Sequence, residues 1–255
     1  MDNAISYAVP PDSLRVFHGF RNQTLTDDAY RTTLGQTFMP GTPYMLAPLG
    51  LSAYLPGVIV GEPSPDVPNE FAIIAYPSQQ VWKHIMNDTL RGRVYNSTHG
   101  GVYDLNRSGA SFPVSLKHLP DVATDPYYVF DGSTDWQTGE TQVFVGAPAD
   151  AGVPAADFRQ AVRQGVSEAM KASADGAIDQ CIVMPGDAYA VIWVHARLPL
   201  GDGTPNWGYF GPKLRKVASM KAQRIICPGE PPTVQLTRTT ALNFIFLRNP
   251  ELFLS

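Results

Sequence analysis

Apolar residues recur along this chain with two periods. From Leu14 to Arg21 they fall on alternate positions, with Val16, His18 and Phe20 on one face and Phe17 on the other, which is the period of a strand. A helix start follows. Thr26 is placed to cap it, Asp27 and Asp28 put negative charge in its first turn, and Leu25 and Tyr30 have staple spacing across the cap. Pro40-Gly41 reads as its end. Leu51–Val60 is an apolar run interrupted by Pro56-Gly57, and 62–69 carries three prolines and reads as a loop. Phe71–Tyr76 is a strand. Ser78 caps a helix whose Val81, Trp82, Ile85 and Met86 make one wide apolar face. The stretch from Val94 to Leu105 then reads as extended.

The same order returns further on. Gln142–Ala147 is a strand. Pro154 opens a helix in which Phe158, Val162, Val166 and Met170 recur every four residues, and Asp175-Gly176 closes it. Ile178–Met184 and Ala188–Leu198 are strands about a Pro185-Gly186-Asp187 turn. Lys213–Met220 reads as a shorter helix, Gln223–Cys227 as a strand, and Val234–Leu247 as further strand-like sequence. Each half therefore reads β-α-β-β-α-β, the ferredoxin-like order, in an α+β protein. The halves divide at about 1–120 and 121–255. This order resembles the dimeric α+β barrel superfamily, in the variant where two ferredoxin-like halves share one chain as a tandem α+β barrel. The resemblance spans 14–105 and 141–227. It leaves 106–140 and 228–255 to wrap the barrel or make a subunit contact.

Composition narrows the partners. Charged residues are 16% of the chain against 44% hydrophobic ones. That suits a large buried core and pairing of halves or of subunits, and it is unlike a disordered chain. The net charge of −4 gives no electrostatic footprint for nucleic acid. No stretch has the ~20 apolar residues of a membrane helix. With no signal-peptide pattern, a cytoplasmic protein is expected. Arg outnumbers Lys, 13 to 6, which suits a carboxylate-bearing or otherwise anionic substrate. Cys181 and Cys227 have no metal-ligand spacing. They are expected to be buried free thiols on opposite edges of the second sheet.

No phosphate loop, dinucleotide fingerprint, nucleophile elbow or zinc-helix motif is present. The chemistry-rich stretch is Arg91–Arg107. If it is extended, Arg93, Tyr95, Ser97, His99, Gly101 and Tyr103 share a face. A cation, two phenols and an imidazole together suit proton abstraction next to a carboxylate. The cation neutralises the carboxylate and stabilises the enolate, and the imidazole takes the proton. In this reading His99 is the base, Tyr95 or Tyr103 the acid and His18 a reserve base. Arg93, with Arg91 and Arg107, binds the anion. His195, two residues from Trp193 on its strand, faces the interior, and Trp207 with Tyr209 in a Gly/Pro-rich loop offers an exposed aromatic pair. His84 reads as a surface residue and His118 as a loop residue at an entrance.

The resemblance extends to lyases of the tandem architecture. It implies a cofactor-independent carbon–oxygen lyase performing β-elimination on a uronic-acid oligo- or polysaccharide, with no metal. Two rival readings stand beside it. One is a haem enzyme, since the superfamily includes chlorite dismutase-like proteins, with His195 or His99 as axial ligand. The other is a non-enzymatic binding module.

Overall fold

The structure is a computed structural model that describes residues 8–9, 14–59, 64–116, 125–129, 134–136, 138–172, 178–197, 211–227 and 241–248. The alternation near the start resolves into β1 (Ala8–Val9) and β2 (Leu14–Gly19). In β2, Leu14 and Val16 pack into one apolar cluster and Phe17 into another, so the strand's two faces serve two cores. Thr26 caps α1 (Asp27–Thr33), its hydroxyl accepting from the Ala29 N–H at 3.2 Å. Pro40-Gly41 does not end this segment. A π-helical turn, Leu34–Phe38, shifts the hydrogen-bond register and places Pro40 in the first turn of α2 (Met39–Leu46). There a missing N–H is tolerated. Strand β3 (Ala53–Ile59) runs straight through Pro56-Gly57 and is followed by β4 (Glu70–Ala75).

Helix α3 (Gln79–Asp88) is capped by Ser78 as its sequence indicates. The expected extended segment is helical instead. Thr89 accepts from the Gly92 N–H at 3.0 Å and caps α4 (Leu90–Thr98), which tightens into a 3-10 turn, His99–Gly101. Gly92 is required where α4 meets the end of α3, because a Cβ there would lie 2.0 Å from the Ile85 carbonyl oxygen. Short strands β5 (Gly109–Ser111), β6 (Val114–Leu116), β7 (Tyr127–Val129) and β8 (Thr134–Asp135) lead to β9 (Glu140–Pro148). Helix α5 (Ala155–Ala172) carries the four-residue repeat, with Phe158, Val162 and Val166 buried. Then come β10 (Ile178–Pro185), β11 (Ala190–Ala196), β12 (Leu214–Cys227) and β13 (Ala241–Arg248). The expected helix at 213–220 is thus the start of a 14-residue strand. Leu214, Val217 and Ala218 have helical spacing, but pairing with β9, through a bulge between Lys216 and Ala218, overrides it.

Among the described residues eleven strands form one sheet in the order β5-β2-β4-β3-β13-β12-β9-β11-β10-β7-β6, while β1 pairs with β8. Within it lie two antiparallel blocks, β5-β2-β4-β3 and β12-β9-β11-β10, each with the 4-1-3-2 order of a ferredoxin-like half. The chain is therefore an α+β protein of two such halves. Strand β13 joins them, antiparallel to β3 and parallel to β12. The unhelixed faces of the two blocks meet across one core of Leu14, Val16, Phe71, Ile73, Val143, Val145, Ile182 and Trp193. Phe71 and Trp193 touch there edge to face, with ring centroids 5.8 Å apart. The barrel interior is filled at this level rather than hollow. Cys181 is free and buried on β10, and β12, which carries Cys227, lies at the opposite edge of the block. No helix among the described residues is long and apolar enough to cross a membrane.

Candidate functional site

A cavity of about 210 Å³ opens between the helix-covered face of the first block and the helices α2 and α4. Alternation along β2 sends Arg15 and Phe17 into it. The Arg15 guanidinium lies 3.9 Å over the Trp82 ring and 5.9 Å from that of Phe112, and its Nε–H is buried without an acceptor. Burial pushes its pKa down to about 10, so the cation persists at neutral pH, and no carboxylate among the described residues pairs with it.

Helix α4 supplies the facing wall. Tyr95 and His99 are one turn apart and come to the same side, so the residues converge for a helical reason rather than an extended one. The Tyr95 phenol bonds the Thr42 hydroxyl of α2 at 2.9 Å, and Thr42 in turn donates to the Phe38 carbonyl at 3.0 Å. The His99 ring rests edge to face on Phe38 and on Tyr95, each with centroids 5.0 Å apart. Its Nδ1 faces two carbonyl oxygens, of Asn96 at 3.1 Å and of Tyr95 at 3.3 Å. Nδ1 must therefore carry the proton, which leaves the lone pair on Nε2. Burial and the nearby Arg15 charge both lower the His99 pKa, against the pull of those carbonyls. The ring is a neutral base. Burial also raises the Tyr95 and Tyr76 phenols well above their ordinary range, so both keep their protons.

Tyr103 lines the same cavity, but its hydroxyl donates to the buried Glu70 carboxyl. Its ring lies flat on β2 because position 19 is glycine. A Cβ there would come within 2.6 Å of Tyr103 Cε1.

The other anticipated residues lie elsewhere. Arg91 and Arg93 are exposed on α4, and Arg93 donates to the Asn87 carbonyl at 3.0 Å. A helix separates neighbours that a strand would have aligned, so Arg93 does not share a face with Tyr95 and His99. Arg107, also exposed, donates to the Pro65 carbonyl and stacks 4.1 Å over Phe20. His18 is on the opposite face of β2 from Arg15, half-buried near Phe20 and Tyr189 of the second half, with Nε2 3.1 Å from the Arg107 carbonyl oxygen. Burial lowers its pKa. His195 is fully buried, Nδ1 on Asp179 and Nε2 2.9 Å from the Thr138 carbonyl, so it offers no lone pair to an iron. Trp207, Tyr209 and His118 lie outside the described residues. His84 is exposed and paired with Asp88 at 3.0 Å. Among the described residues no three of His, Cys, Asp and Glu gather in a metal-ligating group.

Arg15 was missed by sequence reading. Its signal was a charged residue alternating with Phe17 inside an apolar strand, in a chain with little charge to spare.

No protein-family model matches the chain, and no curated protein matches it. Three solved structures are similar in outline. A proposed monooxygenase from Fusobacterium nucleatum is 7% identical over 82% of this chain and 88% of its own, at a TM-score of 0.39. A proposed monooxygenase from Lactobacillus acidophilus is 9% identical over 72% and 76%, at 0.31. An anthrone oxidase-like protein is 10% identical over 85% and 95%, at 0.35. Likenesses at this level assign neither a family nor a reaction.

Proposed function

We propose that the first-half cavity binds one small, largely apolar carbon acid by an anionic oxygen and removes a proton from the neighbouring carbon. One observation carries this reading: a half-buried guanidinium whose buried Nε–H is unused shares a cavity with a histidine whose free lone pair is fixed at Nε2. Arg15 holds the carboxylate or enolate oxygen. The half-buried cation is worth more there than in water, because charge develops on that oxygen as the C–H bond breaks. His99 Nε2 takes the proton. If the substrate carries an oxygen leaving group at the adjacent carbon, the electron pair expels it. A proton delivered to the departing oxygen then completes a carbon–oxygen lyase cycle.

The cavity also narrows the substrate. Its walls are Phe17, Leu46, Ile74, Met86 and aromatic rings, and its volume of about 210 Å³ holds one small molecule, not a polymer segment. One- and two-ring aromatic or unsaturated acids and ketones fit these walls better than a uronic-acid polysaccharide does.

The test is deuterium wash-in. Substrates of that class, alongside mono- and oligomeric uronates, are incubated with the protein in D2O and the acidic carbon is followed by NMR. The expected result is exchange with one of the small planar acids, lost in Arg15→Met and in His99→Ala. Binding of 2-naphthoate that is as tight in Arg15→Met as in the wild type would sink the reading.

A further inference from the structure

A buried carboxylic acid sits directly behind the cavity wall. Glu70 is the first residue of β4 and faces the helix layer, only 1% exposed. Tyr54 from β3 donates to its Oε1 at 2.9 Å, and Tyr103, beyond the end of α4, donates to its Oε2. No Lys, Arg or His among the described residues forms an ion pair with it. The remaining titratable groups bearing on this knot are Tyr95 from α4 and Tyr30 from α1, whose hydroxyl is buried without a partner, with Arg21 and Asp27 beyond Tyr30. An unpaired carboxylate in such a place is costly, whereas the neutral acid is not.

The knot adjoins the cavity. Tyr54 donates to Glu70, and the Thr42 hydroxyl, close enough to bear on the Tyr54 phenol, is bonded to Tyr95. Thr42 and Tyr95 both line the cavity, as Tyr103 does. Every link in Glu70–Tyr54–Thr42–Tyr95 is a group that can both donate and accept.

We infer that Glu70 is the proton store of this site, delivering a proton to the cavity through Tyr54, Thr42 and Tyr95. The inference rests on the reading of the cavity as a proton-transfer site. In the delivering step Tyr95 gives its O–H proton to a substrate oxygen. The Thr42 hydroxyl, swinging from the Phe38 carbonyl, gives its proton to the Tyr95 oxygen. Tyr54, turning from Glu70 to the Thr42 oxygen, gives its own to Thr42, and the Glu70 carboxylic acid gives its own to Tyr54. At the end the substrate oxygen has gained one proton, Glu70 has lost one, and all three hydroxyls are again neutral; the proton that His99 took from carbon leaves to solvent, and Glu70 takes one back along the same path. Glu70 is a positioning residue by this account, since it touches no substrate. Its position explains why a chain with so little charge keeps a carboxyl in its core. Burial pushes the Glu70 pKa up to about 8, against the opposing hydrogen bond from Tyr54, so both forms are within reach near neutral pH.

The test separates this role from a structural knot and from failure of the cavity reading. Difference infrared spectroscopy of the full chain should show a protonated-carboxyl band at pH 6. That band should fade as pH rises through about 8 and be absent in Glu70→Gln. Adding 2-naphthoate should shift the band in the wild type and far less in Tyr54→Phe, which keeps Glu70 and its bond to Tyr103 and cuts the wire. With a substrate found by deuterium wash-in, Glu70→Gln and Tyr54→Phe should each retain exchange within roughly threefold and lose roughly 10–10²-fold in net turnover, the low end of the effect of an acid–base group. The alkaline limb of the turnover profile should vanish in Glu70→Gln. A 2-naphthoate-insensitive band, or an unchanged alkaline limb in Glu70→Gln, overturns the store and leaves the cavity reading standing. Equal 2-naphthoate affinity in the wild type and Arg15→Met overturns the cavity reading and, with it, the store.

Discussion

The two halves share a strand order and differ in what lies under their helices. In the first block the helix-facing residues of β4 and the position just after it are Glu70, Ala72, Ile74 and Tyr76. The corresponding face of β11 is Ala190, Ile192, Val194 and Ala196. Among the described residues the second half covers its sheet with a regular 18-residue helix whose Phe158, Val162 and Val166 pack into the layer. The first half uses a helix interrupted by a π turn and carrying prolines at 40 and 43, and a capped second pair, α3 and α4. π turns are frequent at functional sites because they displace a side chain from the regular stripe. Here the turn ends at Phe38, and Thr42 and Phe38 frame His99 and Tyr95. Among the described residues the same topology thus yields an apolar cluster under the helix of one half and a polar, partly hollow layer in the other. What a ferredoxin-like half does is set by a few helix-facing positions, not by its fold.

The comparison can be broken at several points. The largest effect is expected at His99. His99→Ala should lower the exchange rate by roughly 10²–10⁴ while leaving stability within about 1 kcal/mol, measured by wash-in and by urea denaturation. The reverse is expected across the molecule. Phe158→Ala should cost about 3–5 kcal/mol of stability and leave the affinity of the folded protein for 2-naphthoate unchanged. If Phe158→Ala abolished binding at matched folded fraction, the division into a structural and a functional half would be wrong.

A smaller effect comes from pH. The Glu70 pKa stands at about 8 in the fold against 4.5 ordinarily, so the folded state binds the extra proton between those values. Its stabilising contribution is complete below pH 4.5 and is lost as pH rises through about 8. Denaturation midpoints of the wild type should therefore fall relative to Glu70→Gln across that window, at up to ~1.4 kcal/mol per pH unit, and run parallel above it. On the acid side, the lowered His99 pKa keeps the base active to a pH below its ordinary 6.5, and the acid limb of the rate profile should lie there. The smallest effect is at Arg93. Arg93→Ala removes an exposed side chain bonded, among the described residues, to the Asn87 carbonyl, and it should change exchange by less than about twofold and stability by less than ~0.5 kcal/mol.

Local patterns in the sequence were enough for the first three strands of each half and the helix after the first of them, the caps at Thr26 and Ser78, the α5 stripe and the placing of Val16 and His18 on one face of β2. Each is settled by neighbours within a turn or a strand, where side-chain period and capping chemistry act. Tyr95, His99 and Tyr103 line one cavity, since a four-residue spacing shares a face in a helix as in a strand, whereas Arg93 of the same expected face does not. Other features were decided only by tertiary structure. Leu90–Gly101 is weakly patterned, and it is helical because Thr89 caps it and Gly92 lets it close on α3. Residues 213–220 have helical spacing, yet the open edge of β9 recruits them as a strand. Above all, whether a polar residue on a strand faces the other half or the helices is invisible in alternation alone, since the period is the same for both faces. That choice placed Arg15 and Glu70 beside the cavity and left His18 on the other side of the sheet.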